Sequence, residues 1–474
     1  MQFKTLLYTL HLALFTILIS GCATTKIAKK TQEYDYRAYL HYSMGAMQEY
    51  EGLIEEAITD YEKALLYASQ ETLIRQHLGI LYNKKGLKDK AFQEFKKAVE
   101  VEPEDPQAHF ILGNFFQGEK MWKEAEAEFK KVIKLSSEYA EAYFSLGSLY
   151  TKLEKWRNAI ENYNKVIQIV PDDPIPYYNL GFCYSRLNDN LKAISCYKKA
   201  VELNSEWASP RFNLGILYEM SGDTESALKQ WKEFINLSPQ DPEPYLRIGY
   251  LYFQAAMYNE SIFYMKKALE MDSGVKTGMS KIFPQVYLFL GIAHTNLHQN
   301  KEAIEVYNKF LELEPKNEIA RYNLAALYDK EGAFEGAVKE FRYLIKSSPK
   351  CADALNYLGY MFAEKGINLN EAEELIKNAL KIEPNNGYFI DSLGWVYFKM
   401  GFFKDALREL KRAVQFTKND PIIFDHLGDA YIKNGMYQEA ISAWQKSLQL
   451  QKDNEEVRKK IKEVKESKNR LTNF

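Results

Sequence analysis

The chain has 474 residues, a formal net charge of -2 and 27% charged side chains, so no global basic field marks it for nucleic acid. Its 46% hydrophobic content excludes a disordered chain, and four cysteines are too few for a disulfide framework. The length fits two or three ordinary domains or one long repeat array, and 34 Tyr with 27 Phe call for regular packing slots.

Residues 1–21 read as a targeting segment that stands outside the fold. Lys4 gives a thin positive start, and residues 6–19 form an apolar stretch, interrupted by His11, that is short for a bilayer span. The stretch ends in Ile19-Ser20-Gly21-Cys22, small residues ahead of a cysteine. This resembles the bacterial lipobox. The resemblance implies cleavage before Cys22 and acylation of its thiol, with several acyl chains making a firm anchor. The bland alternative is a secretory peptide or short anchor with an incidental cysteine. Ala23 stands where enteric-type inner-membrane lipoproteins carry Asp, so the resemblance implies a periplasm-facing protein of the outer membrane ahead of the inner one. Residues 22–37, with Lys26, Lys29 and Lys30, read as a lipidated N-terminus and polar tether.

From residue 38 a period of 34 residues takes over. Gly45, Gly79, Gly113, Gly147, Gly181, Gly215 and Gly249 keep it without a slip. Twelve residues after each glycine stands a small residue, Ala57 through Ala227 and then Ser261, and sixteen after the first six stands an aromatic such as Tyr61, Phe95, Tyr163 or Trp231. Pro103, Pro171 and Pro239 close units, while Pro106, Pro174, Pro242 and Pro421 suit the first turn of a helix. Between Gly249 and Gly291 lie eight residues beyond the period, placed at 272–283, as a tolerated surface loop or a hinge. Gly291, Ala325, Gly359, Gly394 and Gly428 then carry the pattern on to residue 454, with one extra residue near Gly366-Ile367-Asn368.

Each unit predicts two amphipathic helices joined by a tight turn, with Gly and Ala where they meet and aromatics filling the rest. The pattern closely resembles the tetratricopeptide family. It implies an all-α fold, an α-solenoid that is a right-handed superhelix of antiparallel helix pairs. Seven units cover 38–271 and five cover 284–454, about twelve repeats in all. Residues 455–474, with Val457, Ile461 and Val464 among many Lys and Glu, predict a polar capping helix over the last unit. The block Asp391-Ser392-Leu393-Gly394-Trp395 also resembles a recurrent C-terminal stretch of bacterial repeat lipoproteins.

No residues are left over for a catalytic domain, so the expected protein is a binding scaffold and not an enzyme. No cofactor is implied, and no metal site either. His294 and His298 lie four apart, but the first occupies an aromatic packing slot, which reads as packing and not as a ligand pair. Cys183 and Cys196 share one unit, either as a disulfide in an oxidising compartment or as two buried thiols. Cys351 suggests no partner.

In the tetratricopeptide family the concave surface is lined mainly by the first helix of each pair. Two residues before the motif glycine stand Asn179, Asn213 and Asn323, resembling the asparagine ladder of O-linked N-acetylglucosamine transferases, whose amides bond an extended peptide. Other units carry Ser43, His77, Ile111, Ser145, Arg247 or Phe289 there, so the Asn either binds or simply faces solvent. One residue earlier stand Tyr42, Phe110, Phe144, Tyr178, Phe212 and Tyr322, an aromatic floor or part of the core. Trp395, Phe398, Phe402 and Phe403 crowd one further turn, either as a patch or as a loop plug. The expected partners are proteins or peptides and the membrane, with no nucleic acid. The alternative is an accessory lipoprotein of exopolysaccharide export or pilus biogenesis whose groove contacts glycan or secretion components.

Overall fold

The computed structural model describes residues 35–272 and 283–471, with side chains over 35–271 and 284–466. The targeting segment, Cys22, most of the tether and nearly all of the inserted loop lie outside the described residues. Among the described residues there are 25 helices and no strand. The chain divides into two compact units, residues 1–205 and 206–474.

The first unit contains five helix pairs: α1 Tyr36–Glu51 with α2 Ile54–Tyr67, α3 Thr72–Lys84 with α4 Lys88–Val101, α5 Pro106–Gly118 with α6 Trp122–Leu135, α7 Ala140–Lys152 with α8 Trp156–Ile169, and α9 Pro174–Arg186 with α10 Asn190–Leu203. The second contains seven pairs and a last helix. These are α11 Ala208–Ser221 with α12 Thr224–Leu237, α13 Pro242–Gln254 with α14 Tyr258–Asp272, α15 Phe283–Asn296 with α16 Asn300–Leu313, and α17 Glu318–Lys330 with α18 Phe334–Ser347. Then come α19 Ala352–Lys365 with α20 Leu369–Ile382, α21 Gly387–Lys399 with α22 Phe403–Phe416, α23 Pro421–Lys433 with α24 Tyr437–Leu450, and finally α25 Glu455–Leu471. The surplus residues after Gly249 fall between α14 and α15, inside the second unit.

Local chemistry explains where each helix starts and stops. Asp105, Asp173, Asp241 and Asp420 accept hydrogen bonds from first-turn amides, and the proline that follows each sits where no amide donor is needed. At the turn within a pair the backbone passes through a left-handed residue, as at Gly86 (φ 77°), after which the Leu87 amide donates to the Tyr82 carbonyl at 2.9 Å. This pairing satisfies carbonyls that the helix end would leave open. The extra residue predicted near Gly366 appears as a second left-handed position, Asn368 (φ 48°), beside Gly366 (φ 66°).

The motif glycine is explained by one contact. A Cβ at Gly147 would lie 2.7 Å from Tyr163 Cε1, and one at Gly215 would lie 2.5 Å from Trp231 Cε2. The second helix of the pair thus lays its aromatic flat on the bare backbone of the first. Tyr163 and Trp231 are thereby fully buried, which stabilises each by roughly 1.5–3 kcal/mol relative to exposure. Ala159 and Ala227, with no accessible surface, hold the helices close where larger side chains would wedge them apart. At the far end Val457 and Ile461 of α25 cover Trp444, while Lys460 bonds Asp425 and Asp429 at 2.7 and 2.8 Å.

Candidate interaction surface

The aromatic stripe expected as a floor is held from below in every case. Tyr178 packs on Tyr197 at 5.6 Å between ring centroids, Phe212 on Trp231 at 5.2 Å and Phe234 at 5.6 Å, and Tyr322 on Phe341 at 5.7 Å and Tyr357 at 5.9 Å. Tyr42, Phe110 and Phe144 repeat the same contact with Tyr61, Phe129 and Tyr163. All six are half-buried. Offset and edge-on aromatic pairs of this kind add to simple burial. Burial pushes the Tyr322 hydroxyl up to about 12, so it stays a neutral donor. These rings are core on one side and surface on the other.

The three asparagines diverge. Asn179 turns its amide back to the Ile175 carbonyl at 2.9 Å, and Asn323 donates to the Tyr307 hydroxyl at 3.2 Å. Asn213 is half-buried on α11. Elsewhere this position links successive repeats. His77 meets Glu49 at 3.0 Å, Arg247 donates to Glu219 at 2.9 Å, and Tyr357 donates to Asp329 at 3.3 Å. Glu49 and Glu219 each take a second bond, from the Tyr61 hydroxyl at 2.9 Å and from Trp231 Nε1 at 2.6 Å. One carboxylate thus ties both helices of its own pair to the first helix of the next.

Near the C-terminus the same position carries His426, which is buried with Nδ1 3.0 Å from Asp391 and its ring stacked at 4.0 Å on Trp395. Burial alone would lower the imidazole pKa, but the charge and hydrogen bond of Asp391, with Asp425 and Asp429 nearby, raise it. Trp395 is itself buried, donates to Glu364 and stacks on Phe398 at 4.9 Å. Phe403 packs edge-on against Phe398 at 5.5 Å, whereas Phe402 is exposed. The predicted aromatic cluster is therefore split, with one ring left for solvent.

His294 is buried against Gln299 at 2.6 Å and burial lowers its pKa, while His298 occupies a left-handed turn position. Among the described residues no group of three metal-ligating side chains forms. The described cysteines, Cys183, Cys196 and Cys351, are free thiols. Among the described residues no helix is long and apolar enough to cross a membrane.

One set of residues escaped the sequence reading. Six residues before the motif glycine, on the first turn of the first helix, stand Tyr39, Leu73, Ile175, Tyr388 and Ile422, with Ile319 at the equivalent place before Ala325, all exposed. Large apolar side chains off the packing face were the available signal.

Models of the tetratricopeptide repeat match residues 74–105, 147–188, 174–206, 242–274, 290–349, 327–387 and 421–454, together just over half of the chain. A TPR repeat-containing protein of Pseudomonas aeruginosa is 32% identical over 126 residues, covering 27% of this chain and 21% of that protein. A TPR repeat-containing protein of Methanocaldococcus jannaschii is 28% identical over 151 residues, 30% of this chain and 26% of its own length. The chain thus spans about a quarter or less of these curated relatives. The crystal structure of MamA protein matches with 27% identity and a TM-score of 0.34, over 36% of this chain and 93% of that one.

Proposed function

Taking as its premise that the chain is a tetratricopeptide-repeat protein, we propose that it is a membrane-anchored scaffold of the bacterial envelope that gathers protein partners. The observation that carries this reading is that every described helix is spent on a repeat or its cap, so the surfaces of the first helices are what the fold offers. Tetratricopeptide-repeat proteins bind protein partners. Within the first unit the exposed apolar residues Leu73 and Ile175 suit side chains of an extended segment, and Asn179 suits its backbone. Acylated Cys22 anchors the protein to the outer membrane, facing the periplasm. Asn179 contributes once its amide exchanges the Ile175 carbonyl for the bound segment.

The test is cross-linking in cells that express the full-length protein, with Cys22→Ala as the anchor control and Asn179→Ala/Ile175→Glu as the surface control. Protein capture that falls in the surface variant supports the reading. Purified protein that binds polysaccharide and captures no protein sinks it in favour of the glycan-contacting alternative.

A further inference from the structure

The two ends of the array are finished differently. At the C-terminal end α25 closes the last pair with a helix whose outer side is Lys, Glu and Arg. At the other end α1 is the first described helix, and its outer side is not polar. In the repeats that follow, the residue just before the motif glycine and the residue two after it are buried, as Leu78 with Leu81 and Leu146 with Leu149. In α1 the same two positions are Met44 and Met47, 40% and 56% exposed. No described repeat precedes them.

Tyr36, Tyr39, Leu40, Met44, Met47 and Tyr50 fall at spacings of three and four along α1 and share one face, all exposed, with Tyr36 at 75% and Tyr50 at 93%. None is charged. Arg37, the one Lys or Arg of α1, folds over the Tyr67 ring at 4.2 Å. Past Tyr39 the apolar surface runs into a cleft of about 420 Å³ shared with Tyr42, Leu73 and Ile74. Contiguous apolar surface of this kind marks a contact site, and a terminal repeat normally presents a polar outer face.

The sequence ahead of α1 says what lies within reach. Cys22 is 13 residues before Asp35, and a chain of that length reaches at most about 45 Å. It carries Lys26, Lys29 and Lys30 against the single acid Glu33, a balance that favours anionic headgroups. Tyrosines on the apolar face place rings among acyl chains and hydroxyls among headgroups. We propose that this face of α1 rests on the lipid surface to which the N-terminal anchor ties the chain, so that the array stands on the membrane by its first repeat. The proposal rests on the anchored reading above and adds a defined contact to it.

The experiment takes full-length Tyr50→Trp protein from cells that express it, reads its acyl group by mass spectrometry, and mixes it with vesicles of phosphatidylethanolamine and phosphatidylglycerol with brominated acyl chains. The fluorescence of the added indole is taken as the difference from wild type. The expected result is a blue-shifted emission quenched by the bromines, with quenching lost in Tyr50→Trp/Leu40→Glu/Met47→Glu. Circular dichroism equal to wild type shows that the variant folds, since these positions touch solvent. Protein that stays on the vesicles with an unquenched indole overturns the surface and leaves the anchor standing. Protein that carries no acyl group and does not sediment with vesicles overturns the anchor and the surface with it. A dimer in sedimentation that the Glu variant dissociates, again without quenching, assigns the face to a second copy and overturns the proposal.

Discussion

Replacing Gly147 by Ala puts one methyl where the structure has no room. The added Cβ would stand 2.7 Å from Tyr163 Cε1 and 2.9 Å from both Cδ1 and Cζ. Tyr163 cannot retreat easily, because it is 1% exposed and its hydroxyl lies 3.2 Å from Thr151 Oγ1. Overpacking of this kind costs about 1–3 kcal/mol. Alanine recovers part of that, since it favours a helix interior over glycine by about 0.8–1 kcal/mol. The expected net loss is about 1 kcal/mol, or about 5-fold in the local folded-to-open ratio. A global melting temperature is a poor reporter in a repeat array, whose stability is a sum of local terms. The assay is therefore native-state hydrogen exchange in α7 and α8, read against α5 and α6 in the same molecule. Gly118 provides the control, because it ends α5 with nothing within 4 Å of a Cβ placed there. Gly118→Ala should leave local protection unchanged or raised. If Gly147→Ala leaves α7 and α8 unchanged, the close approach is not what the glycine is for.

Three further outcomes follow from particular residues. His426 has its pKa raised in the folded state, so its stabilisation is fully present below the unfolded value of about 6.5 and is lost as pH rises through the folded one. Exchange in α21 and α23, which Asp391, Asp425, Asp429, Lys399 and Lys460 surround with charge, should quicken beyond its intrinsic rate as pH rises above about 6.5; in His426→Gln that extra quickening should be absent. Ala256 sits at φ 56° in a turn where most repeats have glycine. Ala256→Gly relieves about 1–2 kcal/mol of left-handed strain and loses about half of it to unfolded-chain entropy, so protection in α13 and α14 should rise by about 0.5–1 kcal/mol. Burial pushes the Cys196 thiol from 9.0 up to about 11, so alkylation at pH 8 should run about 100-fold slower than for an unperturbed thiol, and equal rates would show that the α9–α10 pair opens freely.

The fold was legible because one physical constraint recurs at a fixed period. A bare backbone at the motif glycine, a small residue twelve on and a large ring sixteen on describe one helix crossing, and Gly147, Ala159 and Tyr163 show it in space. The left-handed turns were less legible where Lys120, Glu154 or His298 replaces glycine, since the geometry there is imposed by the neighbouring helices. The candidate surface was only half legible. A ring such as Phe212 has the same period whether it faces core or groove, and in the structure it faces both. Trp395 and Phe402 lie seven residues apart in one predicted cluster, yet one is buried and the other exposed, a difference that depends on His426 from the next repeat.

The asparagine position shows what kind of pattern would have settled more. Its fate depends on a residue 28 positions earlier, four after the preceding repeat's motif position. Where that residue is Glu49, Glu219 or Asp329, it captures the His77, Arg247 or Tyr357 that follows, since a carboxylate in a half-buried site needs donors. Where it is Thr151, no charge draws Asn179 across, and its amide returns to its own helix at Ile175. A bond between an amide and its own helix carbonyl is one that an extended backbone can replace at little loss, because both partners then find other donors and acceptors. A bond to a buried carboxylate has no such substitute. Repeats with a carboxylate in the earlier position are therefore joined to each other, and repeats without one keep a polar group free to exchange toward a ligand. On this reasoning contact with a bound segment centres on the repeat that holds Asn179 and weakens toward His77, so Asn179→Ala should reduce peptide capture more than His77→Ala does.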